Sequence, residues 1–134
     1  AGICVAEVLY LKHAEANNFC IVDAAMNDLP RPAMYEAYHQ IVPVGPQQPE
    51  AISLNYDVVG PVCESGDWLG RDRTLAVQQG DLLAVLSAGA YCMSMSSTYN
   101  SRGRAAEVLV ADGQAHLVAE RETVSAIYAR ERLL

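Results

Sequence analysis

Ala51-Ile52-Ser53-Leu54-Asn55-Tyr56-Asp57-Val58-Val59-Gly60-Pro61-Val62-Cys63-Glu64-Ser65-Gly66-Asp67-Trp68-Leu69 carries both the scaffold signal and the chemistry of this chain. From Ala51 to Val59 apolar and polar residues alternate, which predicts a half-buried strand running into the loop. Gly60-Pro61 ends that run with a turn. The next stretch packs a thiol, two carboxylates, a hydroxyl and the only Trp into six consecutive positions, Cys63 to Trp68. One reading is an ordered loop between two strands that holds reactive groups on a rigid scaffold. The other is that Cys63 is a small inert apolar residue and that Glu64 and Asp67 are solvated. Composition leaves both open.

Upstream, Gly2 to Ala14 is rich in Val, Ile, Leu and Tyr and predicts a long strand. Residues 15–18 form a turn, and Phe19 to Asp23 predicts a second strand, so the two make a hairpin. Between Ala24 and His39, Pro30 and Pro32 flank Arg31 and exclude a strand. Pro32 suits a first helical position, which predicts a helical turn within 32–39. Arg31 is either a solvated turn residue or a clamp for a carboxylate, with Tyr35 one turn away. Ile41 to Val44 predicts a short strand, and Gly45 to Glu50 an exposed turn.

Downstream, Leu75 to Val77 predicts a short strand after Arg71-Asp72-Arg73. Leu82 to Ala88 predicts the most buried strand. Gly89-Ala90 leaves room for a ligand or another backbone beside Tyr91, which is otherwise an ordinary strand-end aromatic. Residues 92–104 are polar and loop-like. Ala106 to Val110 and His116 to Glu120 flank Asp112-Gly113, a hairpin signal. Glu122 to Leu133 predicts a terminal amphipathic helix capped by Thr123. Seven or eight short strands at this spacing predict an all-β fold, a sandwich or Greek-key-like barrel over residues 1–134.

The net charge of −7 argues against a nucleic-acid or anionic-membrane partner. No run approaches the roughly 18 apolar residues of a membrane span. Cys4, Cys20, Cys63 and Cys92 lack metal-site spacing, and the three His are scattered, so no metal is expected. Cys4, Cys20 and Cys92 read as core, and His13 and His116 take the same structural reading. There is no basic leader or small-residue cleavage site, so the cytoplasm is the expected compartment. The first residue is Ala, and the chain is expected to be part of something longer.

Four segments in fixed order now carry a resemblance: residues 22–35 (VDAAMNDLPRPAMY), Cys63-Glu64-Ser65-Gly66-Asp67, Gly89-Ala90-Tyr91, and Ser97-Thr98-Tyr99-Asn100. Together they resemble the C-terminal β domain of the fold-type III, pyridoxal-phosphate-dependent decarboxylases, over essentially the whole chain. The Cys-Glu-Ser-x-Asp loop marks the broad group, which includes ornithine and arginine decarboxylases. The Met26-to-Tyr35 segment followed by His39 narrows the likeness to the branch that acts on diaminopimelate. Ala25 is a mild departure, since many members have Gly there.

The resemblance implies conversion of meso-2,6-diaminopimelate to L-lysine and carbon dioxide in the cytoplasm. The family's enzymes pair this domain with an N-terminal (β/α)8 barrel that holds pyridoxal phosphate on a lysine and work as homodimers. Lys12, the single lysine here, is not that lysine. The chain alone is therefore expected to be inactive. Arg31 and Tyr35 match positions that bind a substrate carboxylate, and Tyr91 one that approaches substrate and cofactor phosphate. Glu64 suits the distal ammonium, and Cys63 is the expected proton donor, reaching the partner subunit's site. Asp67 is a weaker candidate, for substrate contact or loop structure. Two alternatives remain: the same domain of an arginine- or ornithine-type enzyme, or a non-catalytic dimerisation or regulatory module.

Overall fold

The computed structural model describes residues 1–46 and 52–134. Eight strands and two short helices follow one another as β1 (Ile3–Lys12), β2 (Asn18–Val22), α1 (Arg31–Tyr35), β3 (Ile41–Pro43), β4 (Ser53–Val59), β5 (Trp68–Ala76), β6 (Leu82–Leu86), β7 (Glu107–Ala111), β8 (Gln114–Ala119) and α2 (Val124–Ile127). Six of the strands form one sheet in the order β3-β6-β1-β2-β4-β5, and β7-β8 is a separate ribbon. The fold is all-β, as expected.

The long first strand makes the sheet curl. Ile3–Glu7 pairs antiparallel with β6, whereas Val8 and Tyr10–Lys12 pair with β2. The register shifts between Val8 and Tyr10, and such a bulge bends and twists a strand. β2 then runs parallel to β4, a pairing that no local pattern announces. The end strands β3 and β5 meet, so the sheet nearly closes into a barrel. Alternation along β1 puts Ala6 and Val8 inside and Ile3 and Val5 outside. The core gathers Val8, Cys20, Val22, Leu29, Val58, Leu69, Leu83 and Val85, all essentially without solvent contact.

Four expectations need correction. The strand expected at Leu75–Val77 is nine residues long and starts at Trp68. Arg71-Asp72-Arg73 lies within it: Arg71 and Asp72 are exposed on this end strand, and Arg73 is half-buried with its guanidinium 3.8 Å from the centre of the Tyr38 ring. The loop therefore stops at Asp67. The helical turn near 32–39 begins at Arg31 and ends at Tyr35. Glu36 adopts a left-handed conformation (φ 53°), and the Ala37 N–H reaches back to the Arg31 carbonyl at 3.3 Å, a Schellman-type stop.

The terminal helix spans only Val124–Ile127, although Thr123 caps it as expected by accepting from the Ala126 N–H at 3.2 Å. Val124 and Tyr128 are more than half exposed, so no packed face extends the helix. His13 and His116 are exposed, not core, whereas Cys4 is half-buried and packs against the core, as Cys20 and Cys92 lie within it. The expected turn at Gly45 to Glu50 and the strand start at Ala51 lie largely outside the described residues.

Candidate functional site

The segments singled out in the sequence converge at the end of the sheet where β2 and β4 stop. Residues 23–30 leave β2, residues 60–67 leave β4, and residues 87–102 follow β6. Polar side chains tie them together. Asn27 donates through Nδ2 to the Ser97 carbonyl (3.2 Å), and its own carbonyl accepts from the Ser97 N–H (3.0 Å). Arg102 donates to Asn27 Oδ1 (2.9 Å) and the Asp23 carbonyl (2.5 Å), with Asp28 at 3.7 Å. Asn27 is 2% exposed, so these bonds satisfy a group that burial would otherwise penalise.

Arg31 opens α1 between its two prolines and is half-buried. Its guanidinium lies 5.8 Å from the centre of the Tyr91 ring. Among the described residues it has no carboxylate partner. Tyr35 lies one turn along α1, on the same side as Arg31, and is exposed. Tyr91 is exposed and has a left-handed backbone (φ 61°), an uncommon state for an aromatic residue. The room beside it is taken by backbone: Gly89 donates to the Ala1 carbonyl at 2.9 Å, and a Cβ on Gly89 would sit 2.6 Å from that oxygen. Cys92 lies behind Tyr91, where burial pushes its thiol pKa up and the Arg31 charge offsets part of the rise.

On the loop, Cys63 is exposed and free. Glu64 is exposed as well, and its carboxylate pKa is held below the ordinary range by the Gly66 N–H (3.3 Å) and the Ser65 hydroxyl (3.2 Å), with a smaller contribution from Tyr99. The Tyr99 hydroxyl reaches Glu64 Oε2 at 3.5 Å, a long bond. Asp67, in contrast, points inward and is 3% exposed. Its two oxygens accept from the Met26 N–H (2.7 Å) and the Val62 N–H (2.8 Å), so its part is loop structure and not substrate contact.

Arg31 and Tyr91 are thus adjacent, and Glu64 joins the same end of the molecule through Tyr99. Sequence reasoning gave no role to Asn27, Tyr99 and Arg102. Tyr99 lies in the Ser97-Thr98-Tyr99-Asn100 segment, but no local signal pairs it with a glutamate 35 positions away. His39 is buried and holds the Leu86 carbonyl through Nδ1 at 2.9 Å, a structural role.

A pyridoxal group would find only part of its site here. Lys12 sits at the other end of β2, opposite Phe19, and β2 is about 17 Å long. No lysine stands near Tyr91. What this chain could offer such a group is the exposed phenol of Tyr91, with Arg31 beside it and without a carboxylate partner among the described residues.

Residues 1–89 match the family model described as the pyridoxal-dependent decarboxylase C-terminal sheet domain. The chain is 58% identical over its full length to a diaminopimelate decarboxylase of Pseudomonas aeruginosa, covering 32% of that protein. A crystal structure of diaminopimelate decarboxylase from M. jannaschii superimposes with a TM-score of 0.92 at 38% identity, over 98% of this chain and 30% of that one. The enzyme from Helicobacter pylori complexed with L-lysine superimposes at 0.87 and 37% identity, over 96% of this chain and 31% of that one. The chain spans about a third of the length of the curated relatives it matches.

Proposed function

The chain belongs to the pyridoxal-dependent decarboxylase family as its C-terminal sheet domain, and from that premise we propose that it serves a longer enzyme converting meso-2,6-diaminopimelate to L-lysine and carbon dioxide. The partners in this reading are the enzyme's own cofactor-bearing N-terminal barrel and a second subunit whose site receives the Cys63 loop. Pyridoxal phosphate, when bound, supplies the electron sink that lets the bond to the carboxylate break.

The residues of this chain bind, orient and protonate. Arg31 and Tyr35 take the distal carboxylate, the Arg through parallel charge-assisted hydrogen bonds. Glu64, kept ionised by its donors, takes the distal ammonium. Tyr91 borders the cofactor and the substrate. The Cys63 thiol gives its proton to the carbon that loses carbon dioxide. A thiol suits this step as a side-chain acid that a loop can hold within reach of the reacting carbon.

The observation that carries the substrate reading is Arg31: half-buried, fixed between prolines, beside Tyr91, and without a carboxylate of its own among the described residues. Arginine and ornithine have no second carboxylate to offer it. Arg31→Met in the full-length protein is expected to raise KM for meso-diaminopimelate roughly 10- to 100-fold, the worth of one or two charge-assisted hydrogen bonds. Steady-state kinetics would refute the clamp if KM stayed at its wild-type value.

A further inference from the structure

We infer that Asp67 is a positioning residue that locks the Cys63–Glu64 loop to the segment carrying Arg31, so that the two halves of the site move as one body. The structural coupling stands on its own geometry; its catalytic consequence rests on the roles proposed above for Cys63 and Arg31.

Among the described residues, Asp67 is the one buried carboxylate at this end of the barrel whose two oxygens serve two different segments. Oδ2 accepts from the amide of Val62, the residue before Cys63, at 2.8 Å. Oδ1 accepts from the amide of Met26, 41 positions away, at 2.7 Å. The Asp67 backbone closes the loop on itself, its N–H donating to the Glu64 carbonyl and its carbonyl accepting from the Gly60 N–H, both at 3.0 Å. Beyond Met26 the chain is stiff. Asp28 accepts the Ala25 N–H at 3.0 Å, and Leu29 N–H returns to the Ala25 carbonyl at 3.1 Å. That turn runs directly into Pro30 and Arg31, so a shift at Met26 reaches the guanidinium.

The site accepts only this side chain. A carboxylate is an acceptor at both oxygens, whereas an asparagine would turn an N–H group toward one of two N–H donors. Gly60 makes the space: a Cβ there would run into the Asp67 carboxylate and the Ala24 carbonyl oxygen. Gly60 carries no positive φ, so Gly60→Ala tests crowding and not backbone strain. Two substitutions of unlike chemistry therefore attack the same link.

The test uses the full-length protein as wild type, Asp67→Asn and Gly60→Ala. Hydrogen exchange is read at the Val62 and Met26 amides and at the core amides of Val8 and Val22. Alkylation of Cys63 by iodoacetamide and the kcat and KM of decarboxylation complete the readout. Both variants are expected to speed exchange at Val62 and Met26 by about tenfold or more and to leave the core amides protected. The Cys63 alkylation rate should change, and kcat should fall by roughly 100-fold with a smaller change in KM. Unchanged exchange at the two amides with unchanged alkylation overturns the inference. So does equal loosening of the core amides, which would make Asp67 a general stability element. If the amides loosen but Cys63→Ala leaves kcat intact, the coupling stands and the proposed role of Cys63 falls. Should Asp67→Asn fail to fold, Gly60→Ala, which keeps the carboxylate, decides alone.

Discussion

At the scale of single residues, the four thiols separate by environment. Cys63 faces solvent, while burial raises the Cys4 pKa from 9.0 to about 11 and the Cys20 pKa to about 12. A thiol whose pKa is higher folded than unfolded favours the folded state fully below its unfolded value. That stability is lost as pH rises, because the unfolded chain releases the proton first. The urea midpoint should therefore hold up to about pH 9 and fall between pH 9 and 12. The limiting slope is about 1.4 kcal/mol per pH unit for each fully shifted thiol. Cys20→Ala should flatten the decline, and a midpoint that rises over this range would contradict the assignment. Residue types were legible in the sequence: Cys63, Glu64, Arg31 and Tyr91 were chosen from spacing, turn chemistry and resemblance. Their partners were not, because Arg102 meets Asn27 across 75 positions and Asp67 meets Met26 across 41, and no local period encodes such contacts.

At the scale of elements, alternation and turn residues showed β1, β2, β4, β6 and the β7–β8 hairpin with only small shifts at the ends. β5 was missed over most of its length. Its charged triplet looks like loop when the opposite, buried face (Leu69, Leu75) is not read with it. α2 was overextended because its apolar positions have nothing to pack on. The split pairing of β1 and the parallel β2–β4 pair are products of long-range assembly and leave no local trace. The segment between β2 and α1 has almost no regular structure, and Arg102 holds it by three side-chain contacts. Arg102→Met should destabilise the fold by roughly 1–3 kcal/mol, through the buried Asn27 Oδ1 left short of a donor. Urea denaturation measures this directly, and a loss below about 0.5 kcal/mol, the level of an ordinary surface substitution, would show that the segment holds itself.

At the scale of the whole molecule, apolar surface remains uncovered. Val108, Val110, Leu117 and Val118 on the β7–β8 ribbon are 54–72% exposed, and Ile3 and Val5 on the outer face of β1 are at least half exposed. A two-stranded ribbon is at best marginally stable alone, and contiguous apolar patches mark contact surfaces. This suits a domain that works beside a larger one, as proposed from the relatives' threefold greater length. Among the described residues, no helix is long and apolar enough to cross a membrane. The decisive measurement is substrate turnover by the full-length protein loaded with pyridoxal phosphate, followed as carbon dioxide and amino-acid product. Meso-diaminopimelate should yield L-lysine and carbon dioxide in equal amounts, with arginine and ornithine turned over far less. Preference for arginine or ornithine, or no turnover of meso-diaminopimelate, would contradict the proposed function.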